Sequence, residues 1–450
     1  MLPTIRGEGR LVGAPGSATM SGHPPNLGNG SERLSESERL LAAAEAVAAG
    51  RFDAALRLLA PLAEDAAGRD RLLGAAYLGR KNAKAALAHL GRAAAAGDDS
   101  EIGLLLGRAH LLANDAGAAV AVFERLAPSA AVATALAGAY RRDARYADAV
   151  RVAEAAVDPG DQLLYEKALA QAALGDAVGS LATWDTLLVR APDLAAAWYG
   201  SHGPALDRHG WAEAERRLLR AAACPKANGK YAALLAAHDT LAGRPPRPFG
   251  RRHAHVVEGA AALLPDLAPD WRLFGGTLAL LDWALGQAVR PGLVLEFGVR
   301  RGTSLAAIAA AAGQEVHGFD SFEGLPEAWS GTPQGVLTTG GVPPAAAANI
   351  RLHPGWFADT LPGFLAAHPE PVRFVNIDSD LYSSAKTVLT ALAGRIGSGT
   401  VLVFDEFIGN RSWRDDEYRA FAEFVAATGV GYRVIAVNPA GKQVALAVTG

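Results

Sequence analysis

Leu295-Glu296-Phe297-Gly298-Val299-Arg300-Arg301-Gly302-Thr303-Ser304 reads as an apolar strand that ends in an acid and turns through two glycines into a helix. Three further acidic strand ends follow it: Gly318-Phe319-Asp320-Ser321, Asn376-Ile377-Asp378-Ser379-Asp380 and Phe404-Asp405-Glu406-Phe407. In an open α/β sheet, ligands bind beyond the carboxyl ends of the parallel strands, so acids repeated there collect along one rim. Such a rim can hold a cofactor and a metal together. Apolar runs at Leu293 to Phe297, Glu315 to Phe319, Ile350 to His353, Val372 to Ile377 and Val401 to Phe404 are strand candidates. Their nearly continuous apolar character suits a sheet covered on both faces. Helical patterns such as Ser304 to Ala312 and Ser383 to Ala393 lie between several of them. Tyr432 to Val437 and Gln443 to Val448, separated by Asn438-Pro439-Ala440-Gly441-Lys442, carry a hairpin signal.

Dinucleotide-binding turns carry G-x-G-x-x-G, whereas the spacing here is E-x-G-x-x-x-G. That spacing resembles motif I of class I S-adenosylmethionine-dependent methyltransferases. The resemblance implies a Rossmann-like domain with a mainly parallel seven-stranded sheet, ending in an antiparallel pair. By it, Glu296, Gly298, Gly302, Ser304, Asp320 and Ser321 bind the cofactor. Gly298 lets the backbone turn sharply, and Gly302 opens the next helix without a side chain in the way. Glu296 is placed to accept from the cofactor's ammonium and Asp320 from its ribose hydroxyls.

Three further stretches narrow the likeness: Asp320-Ser321-Phe322-Glu323-Gly324-Leu325-Pro326, Gly355-Trp356-Phe357-Ala358-Asp359-Thr360-Leu361-Pro362 and Asp378-Ser379-Asp380-Leu381-Tyr382. Together they resemble the macrocin O-methyltransferase family, whose members methylate hydroxyl groups, typically on sugars of natural products, with a divalent cation. The resemblance implies a catalytic metal set of Asp378 and Asp405, with Glu406 standing where the family usually has a second Asp. It implies Mg²⁺ or another divalent cation that orients the acceptor hydroxyl and favours its deprotonation. Asp380 is a weaker fourth candidate. For the base, His317, His353 and Lys386 are candidates, each set against an ordinary packed or solvated role. The acceptor class is a small molecule, glycan or peptide. Two other readings stay open: a glycosyltransferase using Asp378-Ser379-Asp380 as a D-x-D motif, and a repeat scaffold with a degenerate methyltransferase domain.

The N-terminal half is organised differently. Phe52-Asp53-Ala54-Ala55-Leu56, Lys84-Ala85-Ala86-Leu87, Gly117-Ala118-Ala119-Val120, Tyr146-Ala147-Asp148-Ala149-Val150, Val178-Gly179-Ser180-Leu181 and Trp211-Ala212-Glu213-Ala214 recur at nearly even spacing. Their period is close to the roughly 34 residues of a tetratricopeptide repeat, and the region resembles about six degenerate repeats. The whole chain is therefore expected to be α + α/β, an all-α repeat solenoid followed by the methyltransferase domain. The expected divisions are a disordered tail at 1–36, repeats at 37–242, a proline-rich linker at 243–250 and the catalytic domain at 251–450. Met20 is an alternative start. Trp271 to Val289 reads as an apolar helical region leading into the first catalytic strand.

The 450 residues are half apolar, ample for two cores. A net charge of −3 gives no drive toward nucleic acid or an anionic membrane. Cys224 is the only cysteine, which excludes an intramolecular disulfide and a thiolate metal cluster. The absence of a long apolar span or secretory signal leads to an expectation of a cytoplasmic protein. The repeats are expected to hold the acceptor or a protein partner, or to mediate self-association.

Overall fold

The computed structural model describes residues 34–64, 68–97, 99–329 and 331–450. The tail expected at 1–36 lies outside the described residues as far as position 33. Two compact units divide between Ala139 and Tyr140.

The first unit is helical: α1 (Glu36–Ala48), α2 (Phe52–Leu59), α3 (Arg69–Gly79), α4 (Ala83–Ala96), α5 (Ser100–Leu112), α6 (Ala116–Phe123) and most of α7 (Ala130–Arg142). Small residues let consecutive helices approach closely. A Cβ at Gly79 would run into the Phe52 ring, and one at Gly107 into the Phe123 ring. Asn82 and Asp115 cap α4 and α6 by accepting from Ala85 N at 3.1 Å and Ala118 N at 2.9 Å.

In the second unit more helices come first: α8 (Tyr146–Glu154), α9 (Asp161–Ala173), α10 (Ala177–Arg190), α11 (Ala195–His209), α12 (Trp211–Ala223), α13 (Lys230–Leu241) and α14 (Ala254–Leu263). The expected second-helix starts fall at or within one residue of α2, α4, α6, α8, α10 and α12. Several of the turns before them share one form, with a left-handed residue two positions before the helix: Gly50, Lys81, Asn114, Ala144 and Gly175. The segment 243–250 is tied back onto α13. Arg244 and Arg247 both donate to the buried Asp239, and Arg247 reaches Glu215 as well.

The rest of the unit alternates strands and helices: β1 (Leu267–Leu273), α15 (Thr277–Gln287), β2 (Leu293–Phe297), α16 (Thr303–Ala312), β3 (Val316–Asp320), β4 (Ile350–Pro354), α17 (Phe357–Ala367), β5 (Val372–Ile377), α18 (Tyr382–Leu392), β6 (Val401–Phe404), α19 (Glu417–Thr428), β7 (Tyr432–Asn438) and β8 (Gln443–Val448). The sheet order is β1-β7-β8-β6-β5-β2-β3-β4. β8 runs antiparallel to both β6 and β7, and the other neighbours are parallel. Period-two alternation divides the side chains between two cores. Leu293, Leu295 and Phe297 join α14, α17, α18 and α19 on one face, and Val294 joins α15 and α16 on the other.

The sheet therefore has eight mixed strands, not the expected seven. The addition is β1, inside the stretch whose end, from Trp271, was read as helical. Pro269 and Asp270 are poor strand residues, and the strand forms at the sheet edge by pairing with the distant β7. Only α15 bears out the helical expectation there.

The helices and the sheet of this unit touch through bare backbone at one point. A Cβ at Gly203 of α11 would stand 2.7 Å from the Gly275 carbonyl oxygen, and Gly275 N donates to Asp207 Oδ1 at 2.7 Å. Overpacking costs about 1–3 kcal/mol, against a helix-propensity gain of about 1 kcal/mol from Gly→Ala. Gly203→Ala is therefore expected to lower the urea midpoint, whereas Gly363→Ala in α17, which has open space around it, should raise it. Equal shifts would show that the contact at Gly203 does not constrain the fold.

Candidate functional site

The hydrogen-bond ladder of the central strands runs one residue past their ends. Gly298 N donates to Phe319 O at 2.9 Å, Asp378 N to Phe297 O at 2.9 Å and Asp405 N to Ile377 O at 3.1 Å. This staircase sets Gly298, Asp378 and Asp405 side by side on the rim. Gly298 has φ +97°, and any Cβ there would strike the Asp378 carbonyl, so only glycine fits.

A cavity of about 530 Å³ opens above them, within the range of small-molecule sites. The expected residues Gly298, Gly302, Ser304, Asp320, Ser321, Asp378 and Asp405 line it. Asp320 Oδ2 accepts from Arg300 N and Oδ1 from Phe322 N, both at 2.7 Å, which fixes the carboxylate and leaves lone pairs facing outward. Asp380, Ser383, Ser384 and Thr387 add a hydroxyl-rich wall, while Leu325, Pro326, Trp356 and Phe357 add an apolar one.

Glu296 lies beneath this floor and is not among the lining residues. It is fully buried, with Oε1 accepting from Asn376 Nδ2 at 2.8 Å and Oε2 lacking a well-formed hydrogen bond. Burial pushes its carboxyl up to about 7, offset in part by the Ser304 hydroxyl and Asn376. Lying beneath the floor with no exposed surface, Glu296 can favour an ammonium above the glycine turn only through its charge and not by direct contact, contrary to the expectation. The Asp320, Gly298 and Glu296 set fits S-adenosylmethionine.

The cation expectation fares differently. Among the described residues no group of three or more His, Cys, Asp or Glu side chains could hold a metal ion. Lys442 Nζ donates to both oxygens of Glu406 at 2.7 and 2.6 Å, and Gln443 Nε2 donates to Asp405 Oδ1 at 2.5 Å. The β7–β8 hairpin thus supplies the charge and donors that a cation would supply, and the residues present do not fit the expected set of Asp378, Asp405 and Glu406. Asp378 and Asp405 are also within hydrogen-bond reach of one another. Burial first, then neighbouring carboxylates, raise Asp378 well above the ordinary range, Asp405 to about 6 and Asp380 to about 7.

Glu417 is a site residue the sequence did not disclose. Fully buried, it accepts from Ser379 N at 3.3 Å and Glu406 N at 3.0 Å and so ties together the loops after β5 and β6. The base candidates lie elsewhere. His317 and His353 touch each other at 3.2 Å within an aromatic cluster, and burial lowers His317 to about 4. Lys386 pairs with Glu423 at 2.9 Å. None of the three lines the cavity. Cys224 is buried, as expected.

Residues 295–407 match the family model of a methyltransferase domain. The chain carries a methyltransferase domain. It is 32% identical over 145 residues to the 8-demethyl-8-(2,3-dimethoxy-alpha-L-rhamnosyl)-tetracenomycin-C 4'-O-methyltransferase of Streptomyces olivaceus, covering 26% of this chain and 53% of that protein. It is 36% identical over 74 residues to the demethyldecarbamoylnovobiocin O-methyltransferase of Streptomyces niveus, covering 16% and 27%. The chain thus spans about half the length of the first relative and less of the second. Among solved structures, the calicheamicin methyltransferase CalS11 aligns over 38% of this chain and 77% of its own, at 25% identity and a TM-score of 0.33. Among the described residues no helix is long and apolar enough to cross a membrane.

Glu296 also sets a pH dependence. Its folded value of about 7 lies above the ordinary 4.5, so its contribution to stability is full below about 4.5 and lost as pH rises through 7. At about 1.4 kcal/mol per unit, the loss approaches about 3 kcal/mol. Glu296→Gln, measured by urea unfolding, should gain on the unsubstituted protein by up to that amount between pH 5 and 8. A difference independent of pH would contradict the burial of an unpaired carboxyl.

Proposed function

We propose that this protein is an S-adenosylmethionine-dependent O-methyltransferase acting on a hydroxyl of a sugar or sugar-bearing natural product. The observation that carries the reading is one cavity in which the Gly298 turn and Asp320 face the acids and hydroxyls of Asp378, Asp380, Ser383, Ser384 and Asp405. The two Streptomyces relatives, both O-methyltransferases, support it.

The cofactor brings a methyl group already electrophilic on its sulfonium, so the protein's work is to align an oxygen behind it and take that oxygen's proton. Asp320 holds the ribose edge, and the Glu296 carboxyl beneath the Gly298 turn favours the ammonium electrostatically from below. Trp356, 38% exposed at the cavity, and Phe357 offer apolar faces to the purine. Asp378 and Asp405 sit at the strand ends where the acceptor hydroxyl arrives, and they orient it and receive its proton. Gln443 fixes Asp405, and the ion pair to Lys442 keeps Glu406 from competing for that role. No step is routed through a cation.

The helical pairs of residues 37–242 read as tetratricopeptide-like repeats, supported by the evenly recurring helix starts and the shared left-handed turn. Their proposed role is to hold an acceptor or partner. The proposed domain divisions remain 37–242, 243–250 and 251–450, although α8 to α13 group compactly with the sheet.

Two measurements test the reading. Asp320→Ala should weaken S-adenosylhomocysteine at least tenfold in calorimetry, since hydrogen bonds to a charged group contribute about 1.5–3 kcal/mol. Unchanged affinity would remove Asp320 from the site. Methyl transfer from S-adenosylmethionine to rhamnosyl acceptors, read as a 14 Da mass gain, should fall about 100-fold in Asp405→Asn and persist within about twofold in excess chelator. A tenfold or greater loss on chelation would restore a metal to the mechanism.

A further inference from the structure

The helical segment reaches into the cavity at one place. Ala144 and Tyr146, from the turn between α7 and α8, are lining residues. Ala144 has φ +58°, a left-handed conformation that disfavours a side chain and that Lys81 and Asn114 share at the corresponding turns, where Gly50 and Gly175 take it freely. The surrounding structure holds the turn in this form.

Two arginines inside the cofactor loop bond to this turn. Arg300 Nη2 donates to the Arg142 carbonyl at 2.9 Å, and Arg301 Nη2 pairs with Asp143 Oδ2 at 2.7 Å. The Asp143 side chain is 4% exposed. Through its backbone N–H, Arg300 is also one of the two residues that fix Asp320. Its own φ is +49°, a left-handed conformation inside the loop. Tyr146 lines the cavity within electrostatic reach of Arg300 of the cofactor loop and, more weakly, of Asp378 and Asp405.

We propose that the turn Arg142-Asp143-Ala144-Arg145-Tyr146 is a working wall of the active site, with Asp143 a positioning residue that sets the cofactor loop through Arg301 and Tyr146 lining the cavity beside that loop. The inference rests on the methyltransferase reading. It goes further by making cofactor binding depend on a residue outside the methyltransferase motifs. The logic is electrostatic: removing the buried Asp143 leaves the Arg301 guanidinium, whose side chain is 28% exposed, without its partner on the loop itself.

The test uses the full-length chain and S-adenosylhomocysteine. Asp143→Asn and Asp143→Ala should each weaken binding about tenfold by calorimetry, and Asp143→Arg combined with Arg301→Asp should recover most of the loss. A merely structural pair would lower the thermal midpoint of the free protein in the single variants and leave their affinity unchanged, and that result would overturn the positioning role. Tyr146→Cys in a Cys224→Ser background supplies a single thiol at the wall. S-adenosylhomocysteine should slow its alkylation by iodoacetamide severalfold, and an unchanged rate would remove Tyr146 from the cavity. Should the unsubstituted protein fail to bind S-adenosylhomocysteine, the methyltransferase reading itself falls, and the wall with it. Binding by that protein with indifferent variants defeats the wall alone.

Discussion

The site depends on a staircase of backbone hydrogen bonds that carries the parallel ladder one residue beyond its strands, from Phe319 O to Gly298 N, from Phe297 O to Asp378 N and from Ile377 O to Asp405 N. Each bond fixes the first residue of a loop, so three loops leave the sheet in register. The crossing of the first two is so close that residue 298 can have no side chain. The apolar strands below are wholly buried between helices on both faces, which makes this rim rigid. The chemistry is thus placed by backbone geometry before any side chain contributes.

Rigidity of this kind has an electrostatic consequence. Glu296, Asp378, Asp380, Asp405, Glu406 and Glu417 gather around one set of strand ends, and burying so many carboxylates is unfavourable unless each finds a partner or a proton. The structure meets the demand in different ways. Glu417 is satisfied by backbone N–H groups, Glu406 by an ammonium, and Asp405 by a carboxamide. Glu296 has only the Ser304 hydroxyl and the Asn376 carboxamide and, by burial, is raised to about 7. A cationic ligand above would relieve that strain, which gives the floor of the loop a physical preference for one.

Much of this was legible in the sequence because its cause is local. The period-two and continuous apolar runs gave β2 and β5 their limits, and the small-residue pattern placed the starts of α2, α8 and α12. Acids following strands were read as one rim, and Gly298, Asp320, Asp378 and Asp405 do share a cavity. What escaped notice is non-local. β1 contains Pro269 and exists through pairing with β7, more than a hundred residues later in the chain. Lys442 and Gln443 looked like hairpin residues, yet pairing of β8 with β6 brings them to the acids and replaces the expected cation contacts. Glu417 resembled any acid in the first turn of a helix, and Asp143 any turn residue.

The central claim, that the loop over Glu296 receives the ammonium end of a sulfonium cofactor, is tested most directly by the proton balance of binding. S-adenosylhomocysteine, which keeps that ammonium, would be titrated into the full-length protein at pH 7 by calorimetry in two buffers of different ionisation enthalpy. With the Glu296 carboxyl near 7 before binding, an adjacent positive charge should favour its ionised form. The expected result is one ligand bound per chain with net release of up to about half a proton. No binding of S-adenosylhomocysteine, with UDP-glucose bound in its place, would contradict the account.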